Sequence, residues 1–291
     1  MGLAAEALRV PLSSSAGFDG LSDKDFRRLA QLIHSYSGIK MPPGKRTMLE
    51  GRLRRRVRAT GAASLADYCR TLFEEDGLAA ELVDLIDAVT TNKTEFFREP
   101  THFDFLRDRG LAMLASPQRR TLKAWSAACS IGAEPYTLAM VIEEHLRESR
   151  SRGDYSILCT DLCTEVLEEA IAGIYPAAMI EPVPMDLRRR YLMRARDAQR
   201  SSVRITPALR SRLLFSRLNL MDDSYPVDDD MDMIFCRNIL IYFDKPTQSK
   251  VLQRLCSHLR PGGMLFLGHS ESVVGIDLPV KQVASTIFQR V

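Results

Sequence analysis

The first third of the chain places apolar residues at helical spacing. One such stretch begins at a Ser22 or Asp23 cap and stops at Gly38, and three more follow over residues 45–60, 64–75 and 78–91. In the first stretch the apolar positions are Phe26, Leu29, Ile33 and Tyr36. The pattern predicts a small all-α domain over residues 21–90, preceded by a disordered tail over residues 1–20.

From residue 91 to residue 291 the pattern changes to apolar strands that alternate with amphipathic helices. The predicted strands are "LKAWSAAC", "YSILCTD", the start of "MDMIFCRNILIYF", and "GGMLFLGHS". The predicted helices between them are "AEPYTLAMVIEEHLRE", "TEVLEEAIAGIY" and "PTQSKVLQRLCSHL". This alternation indicates a doubly wound, mostly parallel, Rossmann-like α/β sheet. Ligands of such sheets bind at the carboxyl ends of the strands.

The alternation fails between Tyr175 and Leu220. "RRRYLMRARDAQRSSVRIT" reads as two short strands around a polar turn, and "RLLFSRLNL" reads as another strand. We expect a small inserted antiparallel β-subdomain over about residues 186–216.

Composition limits the classes of function. The chain has 291 residues, 45% of them hydrophobic and 26% charged, and no apolar run approaches the ~20 residues of a membrane span. The first residues lack the basic and apolar regions of a signal peptide, so a cytoplasmic protein without membrane insertion is predicted. The six cysteines are scattered, and Cys159 with Cys163 has no second ligand pair, which favours packing over a metal site.

Basic residues are concentrated in one helix. The net charge of +3 is too small to indicate a nucleic-acid partner, but residues 40–58 contain eight basic residues and one acid, Glu50. This stretch is either a solvated helix face or a surface that attracts an acidic partner. The candidate docking residues are Lys45, Arg46, Arg52, Arg55 and Arg56.

Two acids lie where ligands of a doubly wound sheet bind. Glu134 follows Gly132 at the start of a helix, and it either interacts with the helix N-terminus or binds a cationic ligand. Asp161 follows the second strand, and it either caps the next helix or accepts hydrogen bonds from a ribose. Neither G-x-G-x-x-G nor a P-loop is present, which disfavours dinucleotides and nucleoside triphosphates.

"MDMIFCRNILIYFDK" contains a charge inside an apolar run. We interpret it as a strand that ends near Cys236 and a loop that begins at Arg237, which places the guanidinium at the ligand-binding edge of the sheet.

Five phrases in order resemble one protein family. "TTNKTEFFREPTHF", "WSAACSIGAEPY", "TDLCTEVLEEAIAGIY", "FCRNILIYFDK" and "LFLGHSES" resemble the bacterial chemotaxis receptor methyltransferases, the CheR family of class I S-adenosylmethionine-dependent methyltransferases. The resemblance runs from about Leu21 to Ser272, and it includes the helical N-terminal domain.

The resemblance implies an enzyme that uses S-adenosyl-L-methionine to methylate glutamate side chains of methyl-accepting chemotaxis receptors, leaving S-adenosyl-L-homocysteine. Arg237 and Tyr242 would lie nearest the methyl group and orient the acceptor carboxylate. The basic helix would dock onto the receptor's cytoplasmic helices. The implied cofactor-binding residues are Asn92, Thr94, Arg98, Glu134, Asp161, Asn219, Leu220, Cys236 and Arg237.

Two departures from the family pattern bear on partners. Ala133 replaces the acid or glutamine that usually precedes Glu134. The turn "ARDAQRSS" lacks the glycines of members that tether to a receptor's C-terminal pentapeptide, which makes a pentapeptide tether doubtful. A structural cover and a site for another partner are the alternatives for the insert. A small-molecule methyltransferase and a non-catalytic scaffold on the same fold are the alternative functions.

Overall fold

The computed structural model describes residues 20–116, 120–150, 153–194 and 201–291. The predicted N-terminal tail, apart from Gly20, lies outside the described residues. Across these ranges, none of the helices combines the length and apolar character needed to cross a bilayer.

Four helices form the N-terminal unit, as the spacing of apolar residues predicts. Ser22 caps the first helix by accepting a hydrogen bond from the Asp25 backbone N–H, and Gly38 ends it in the left-handed conformation. Leu29, Ile33 and other fully buried side chains form a core of their own. The helices are α1 (Asp23–Ser37), α2 (Arg46–Thr60), α3 (Leu65–Glu74) and α4 (Leu78–Val89).

Strands and helices alternate in the second unit. Its strands are β1 (Thr121–Ala127), β2 (Asp154–Asp161), β3 (Ile174–Pro176), β4 (Leu192–Arg194), β5 (Ser202–Ile205), β6 (Leu213–Arg217), β7 (Met231–Cys236), β8 (Leu259–Leu267), β9 (Val280–Ala284) and β10 (Ile287–Arg290). Its helices are α5 (Pro100–Phe105), α6 (Leu111–Leu114), α7 (Ala133–Glu148), α8 (Thr164–Ala172), α9 (Met185–Tyr191), α10 (Pro207–Arg210) and α11 (Lys245–His258).

The large sheet has seven strands in the order β6-β2-β1-β7-β8-β10-β9. The first five strands in this order pair in parallel, and β10 pairs antiparallel with both β8 and β9. Every residue of β7 is buried, and the strand ends at Cys236 as predicted. The Rossmann-like prediction is therefore confirmed, and the carboxyl ends of β1, β2 and β7 lie side by side.

A second, three-stranded antiparallel sheet has the order β3-β5-β4. An antiparallel insert was predicted, but the segments that form it differ from the predicted ones. The sheet takes β3 from before residue 186, and "RRRY" belongs to α9. β6, expected in the insert, pairs in parallel with β2, so residues 213–217 belong to the main sheet. Residues 195–200 of the predicted turn lie outside the described residues.

The helical unit is bonded to the sheet unit. The carboxylate of Asp87 in α4 accepts hydrogen bonds from the backbone N–H of Thr164, at 3.0 and 3.2 Å, and of Glu165, at 3.3 Å. It thus occupies the N-terminus of α8, where free N–H groups favour an anion. The Asn219 amide donates to the Tyr36 carbonyl at 2.7 Å. These contacts hold the helices over the carboxyl edge of the sheet.

Candidate active site between the helices and the sheet edge

A cavity lies between the two units. It encloses about 1140 Å³ of space, including some open solvent at its mouth. The sheet unit supplies the carboxyl ends of β1, β2 and β7, and the helical unit contributes Ser37, Ile39, Met41, Lys45 and Met48. The predicted site residues on its wall are Asn92, Thr94, Arg98, Glu134, Asp161, Asn219, Leu220, Arg237 and Tyr242.

Glu134 presents a carboxylate to this cavity from a side chain that is 13% exposed. It lies in the first turn of α7, which follows Gly132. Gly132 has a φ of 88°, which glycine adopts without strain, and a Cβ at this position would lie 2.9 Å from the Cβ of Ala170. Its Oε1 accepts a hydrogen bond from Ser126 Oγ at 2.7 Å, and its Oε2 accepts one from Arg237 Nη1 at 3.1 Å. Burial raises the pKa of Glu134 above its ordinary value, against the opposing effect of the Arg237 cation.

The guanidinium of Arg237 forms hydrogen bonds and ion pairs with other groups of the chain. Its side chain is 1% exposed, and Nη2 donates to Glu99 Oε2 at 2.9 Å and to the Arg98 carbonyl at 2.5 Å. Its Nε has no hydrogen-bond partner in the described part of the chain. Because its charge is already shared by Glu99 and Glu134, Arg237 is better placed to order the site than to hold a third carboxylate. This differs from the role that the family resemblance suggested.

Asp161 lies on the cavity wall at the end of β2. Its Oδ2 accepts from the Ser130 backbone N–H at 2.8 Å, and its Oδ1 accepts from that of Cys163 at 3.0 Å. Asp87, and not Asp161, binds the first N–H groups of α8. Each Asp161 oxygen makes one such bond and therefore retains capacity to accept another.

Arg98 brings a guanidinium without an ion-pair partner among the described residues to this cavity. Its Nη1 donates to the Lys93 carbonyl at 3.0 Å, and no carboxylate among the described residues forms an ion pair with it. The Asn92 amide donates to Thr90 Oγ1 at 3.2 Å, and Thr94 is half-buried beside the same cavity. The guanidinium can therefore receive an anion.

The remaining predicted contacts differ in accessibility. Asn219 is anchored on both sides, since its Oδ1 accepts from the Met221 N–H at 3.0 Å while its amide binds Tyr36. Leu220 supplies apolar wall. Cys236 is fully buried in the core on the α11 side of the sheet and does not line the cavity, because its side chain points into that core.

Tyr242 reaches the cavity from a short 3-10 helix, Leu240–Tyr242. Its hydroxyl has no hydrogen-bond partner within the described ranges, and the ammonium of Lys45 lies 5.8 Å from the centroid of its ring. The phenol is thus free to donate a hydrogen bond to a molecule in the cavity.

Three residues that were given no role organise the site. Glu99 binds Arg237, and Glu271 accepts hydrogen bonds from the backbone N–H groups of Gly268, Asn238 and Leu240 at 2.6 to 3.0 Å. Glu99 and Asn238 have φ values of 55° and 59°, which non-glycine residues rarely adopt. Glu99 and Glu271 occur in the phrases that carried the family resemblance, so the signal was present without an assigned contact.

The basic residues of α2 are partly neutralised within the chain. Arg56 binds Glu81 at 2.6 Å and Asp84 at 2.7 Å, and Arg52 binds the Thr90 carbonyl at 2.7 Å. Their donors are in use, which disfavours their predicted docking role. Arg46 pairs with Asp23 at 2.5 Å, Arg55 pairs with Glu165 at 2.9 Å on the surface, and Lys45 lies at the cavity.

Glu99, His102 and His269 have ligand atoms within 4.8 Å of one another, although the sequence suggested no metal site. Glu99 already accepts hydrogen bonds from the Arg237 guanidinium, the Asn238 amide and the His269 N–H. Arg237 therefore supplies the positive charge that a metal ion would bring to this cluster.

Comparison with known proteins identifies the family. The model of the CheR methyltransferase SAM binding domain matches residues 92–289, and that of the CheR methyltransferase all-alpha domain matches residues 24–90. The chain is 39% identical over 270 residues to the chemotaxis protein methyltransferase of Klebsiella aerogenes, which covers 93% of this chain and 87% of the relative. It is 38% identical over 252 residues to the chemotaxis protein methyltransferase of Escherichia coli, and the match covers 87% of this chain and 85% of the relative. It is 34% identical over 259 residues to that of Borreliella burgdorferi, and the match covers 88% of this chain and 90% of the relative. The chain belongs to the CheR family of S-adenosylmethionine-dependent methyltransferases.

Proposed function

We propose that this chain transfers the methyl group of S-adenosylmethionine to glutamate side chains of methyl-accepting chemotaxis receptors, giving glutamate methyl esters and S-adenosylhomocysteine. The relatives are chemotaxis protein methyltransferases by name. The observation that best supports this proposal is that the cavity wall combines the carboxylates of Glu134 and Asp161 with the Arg98 guanidinium, which forms no ion pair among the described residues.

This pattern fits the charged groups of the cofactor. Arg98, with Asn92 and Thr94 beside it, would hold the α-carboxylate, because a guanidinium binds a carboxylate with two parallel hydrogen bonds. Glu134 would hold the α-ammonium group, and Asp161 would accept from the ribose hydroxyls. Asn219 and Leu220 would contact the adenine, with Cys236 packed behind this wall.

The chemistry requires little acid or base catalysis. The bound cofactor supplies an electrophilic methyl group on a sulfonium. A glutamate with an ordinary pKa of ~4.3 is ionised at neutral pH, so the acceptor needs no general base. The residues of the chain therefore act by binding, orienting and excluding water, and orientation alone supplies ~7–11 kcal/mol in favourable cases. Tyr242 would orient the acceptor carboxylate through its free hydroxyl, and Arg237 would hold Glu134 in place.

We assign receptor docking to residues 21–90 and catalysis to residues 91–291. The docking surface would be the exposed part of α2, with Lys45, Arg46 and Arg55, next to the cavity mouth. Receptor glutamates are acidic, and a basic surface accelerates their approach. The antiparallel sheet has no assigned partner in this proposal.

The decisive experiment measures transfer of a labelled methyl group to receptor-containing membranes, with release of labelled methanol by base as the signature of an ester. Receptors whose methyl-accepting glutamates are replaced by alanine serve as the control. A small-molecule methyltransferase would leave the membranes unlabelled while consuming the cofactor with another acceptor. A scaffold would bind the receptor without any transfer.

A further inference from the structure

Glu99 is the centre of a hydrogen-bond cluster just outside the cavity wall. Its Oε2 accepts from Arg237 Nη2 at 2.9 Å, and its Oε1 accepts from Asn238 Nδ2 at 3.0 Å and from the His269 N–H at 3.2 Å. Its side chain is 14% exposed, and it is not among the residues that line the cavity. Glu99 therefore binds two other segments of the chain, residues 237–238 and His269, without facing the ligand space.

The cluster shares one guanidinium between two carboxylates. Arg237 binds Glu99 through Nη2 and Glu134 through Nη1 at 3.1 Å. Burial alone would raise the pKa of Glu99, but hydrogen bonds from Asn238 and Arg237 lower it to about 2. When Glu134 is ionised as well, the two acids and the one arginine carry a net negative charge, and the acid at the cavity wall is Glu134.

Without the charge of Glu99, Arg237 would compensate Glu134 alone. The pair would then be neutral, and a cation in the cavity would meet a carboxylate whose charge is already balanced by the guanidinium close behind it. In a site of low dielectric constant, charges at this distance interact strongly. The charge of Glu99 thus leaves the charge of Glu134 available to a cation in the cavity.

We propose that Glu99 is a positioning residue that neutralises Arg237, so that the cluster of Glu99, Arg237 and Glu134 offers a net negative charge to the ammonium group of the cofactor. This inference rests on the proposed contact between Glu134 and that ammonium group. Glu99 does not touch the cofactor and acts only through Arg237.

The test compares two ligands by calorimetric titration of the full chain. S-adenosylhomocysteine carries the amino group, whereas its deamino analogue keeps the carboxylate, the thioether and the adenosine. In Glu99→Gln, which retains the size of the side chain but removes its charge and replaces one accepting oxygen by an NH2 donor, we expect S-adenosylhomocysteine to bind roughly 10- to 100-fold more weakly. The deamino analogue should bind within about 2-fold of its wild-type affinity, because it has no cation to lose. Glu148→Gln, a change of exposed charge at the end of α7, is the matched control.

Each outcome is informative. Equal weakening of both ligands would show a merely structural role, through displacement of the neighbouring Arg98, and would overturn the proposal. Unchanged affinity for both would overturn it as well. If the wild-type protein binds S-adenosylhomocysteine no more tightly than the deamino analogue, the contact between Glu134 and the ammonium group is wrong. If the wild type shows the preference and Glu99→Gln keeps it, only the role proposed for Glu99 is wrong.

Two further variants separate charge from shape. Glu99→Asp keeps the charge and should keep most of the preference, so a lost preference in this variant contradicts the proposal even where Glu99→Gln does not fold. Glu134→Gln should lose the preference by itself. Adding Glu99→Gln to it should then cost little more, because both changes remove the same interaction.

Discussion

Two arginines with similar positions along the sheet edge have different electrostatic states. Arg237 is buried and bonded to two carboxylates, whereas Arg98 binds only a backbone carbonyl through its guanidinium in the described structure. The sequence predicted that both lie at the site, but it did not predict which one has a free charge. That depends on Glu99, which approaches Arg237 from 138 positions away along the chain.

Arg98 is expected to bind the carboxylate of the cofactor. Arg98→Ala should weaken S-adenosylhomocysteine binding by ~1.5–3 kcal/mol, the range for a hydrogen bond to a charged group. Arg98→Lys should recover only part of this loss, because an ammonium lacks the forked geometry of a guanidinium. 5′-Methylthioadenosine, which has no carboxylate, should bind both variants as it binds the wild type. An equal loss for this ligand would contradict the assignment.

Cofactor affinity should fall on acidification through protonation of Glu134. Its pKa is raised by burial, so the ionised form that binds an ammonium group is lost as the pH falls through this raised value. The loss should begin at a higher pH than for an ordinary glutamate, at ~4.3. Titrations of S-adenosylhomocysteine against pH measure it.

In that experiment, titrations of the deamino analogue distinguish the effect of Glu134 protonation on affinity from the effects of other titrating groups. Burial also raises the pKa of Asp161, whereas Glu99 stays ionised because its pKa is about 2. Arg237 and Ser126 hydrogen-bond Glu134 directly. Only the part of the pH dependence that the analogue lacks belongs to the ammonium contact, and Glu134→Gln should abolish that part. A dependence that survives in Glu134→Gln would point to another group.

Tyr242 should affect turnover more than cofactor binding. Removal of its free hydroxyl in Tyr242→Phe leaves the ring beside Lys45 in place. If the hydroxyl orients the acceptor carboxylate, the rate of receptor methylation should fall by about 10-fold or more, with unchanged affinity for S-adenosylhomocysteine. Turnover close to the wild-type value would remove Tyr242 from the mechanism.

At the scale of elements, two loops fix each other at the carboxyl edge of the sheet. Glu271, after β8, accepts backbone hydrogen bonds from the loop after β7, and Asn238 in that loop donates to Glu99. Gly268 allows this close approach, because a Cβ there would lie 2.6 Å from Asn238 Nδ2 and 3.0 Å from Glu271 Oε2. The loop that carries Arg237 and Tyr242 thus depends on a glycine in another loop.

Gly268→Ala is therefore expected to disturb the site. The added methyl should destabilise the chain by ~1–3 kcal/mol, as for overpacking of a tight interior, and should weaken S-adenosylhomocysteine binding. Urea unfolding and calorimetric titration measure the two effects. Gly44→Ala is the control, since nothing lies within 4 Å of its Cβ position, and it should change neither quantity. Normal binding in Gly268→Ala would show that the loop adapts.

The elements differ in how much the sequence could predict. The span of α7 was predicted to the residue, because strong helical periodicity begins just after Gly132. β6 was assigned to the insert, because an apolar run does not reveal its pairing partner, here β2. β9 and β10 were not predicted, since their short antiparallel pairing depends on contact with β8. Local patterns identify elements, and long-range pairing decides where they belong.

At the scale of the whole molecule, the cavity belongs to both units. The sheet edge was predicted from strand ends, but the wall made by Ser37, Ile39, Met41, Lys45 and Met48 was not, because it depends on how the helical unit packs onto the sheet. Asp87 contributes to that packing by binding the N-terminus of α8 from α4. A receptor-binding surface on α2 would consequently lie next to the cavity in which methyl transfer is proposed to occur.

Receptor docking should be sensitive to the exposed charge of α2. The pair between Arg55 and Glu165 has side chains 52% and 50% exposed, and such pairs contribute only ~0–1 kcal/mol, so Arg55 can exchange its partner for a receptor carboxylate at small cost. Arg55→Glu should slow receptor methylation roughly 10-fold at low salt, with unchanged affinity for S-adenosylhomocysteine.

The dependence on salt distinguishes steering from a local contact. At 1 M salt the screening length falls to ~3 Å, so the wild-type rate should drop and the difference from Arg55→Glu should shrink. Arg107→Glu is the matched control, because Arg107 is 53% exposed and is ion-paired with Asp104 and Asp108, but lies outside α2 and the cavity wall. It should methylate receptors at the wild-type rate. Methylation that is insensitive to salt, or equal slowing by both variants, would assign the basic face of α2 to solvation and not to docking.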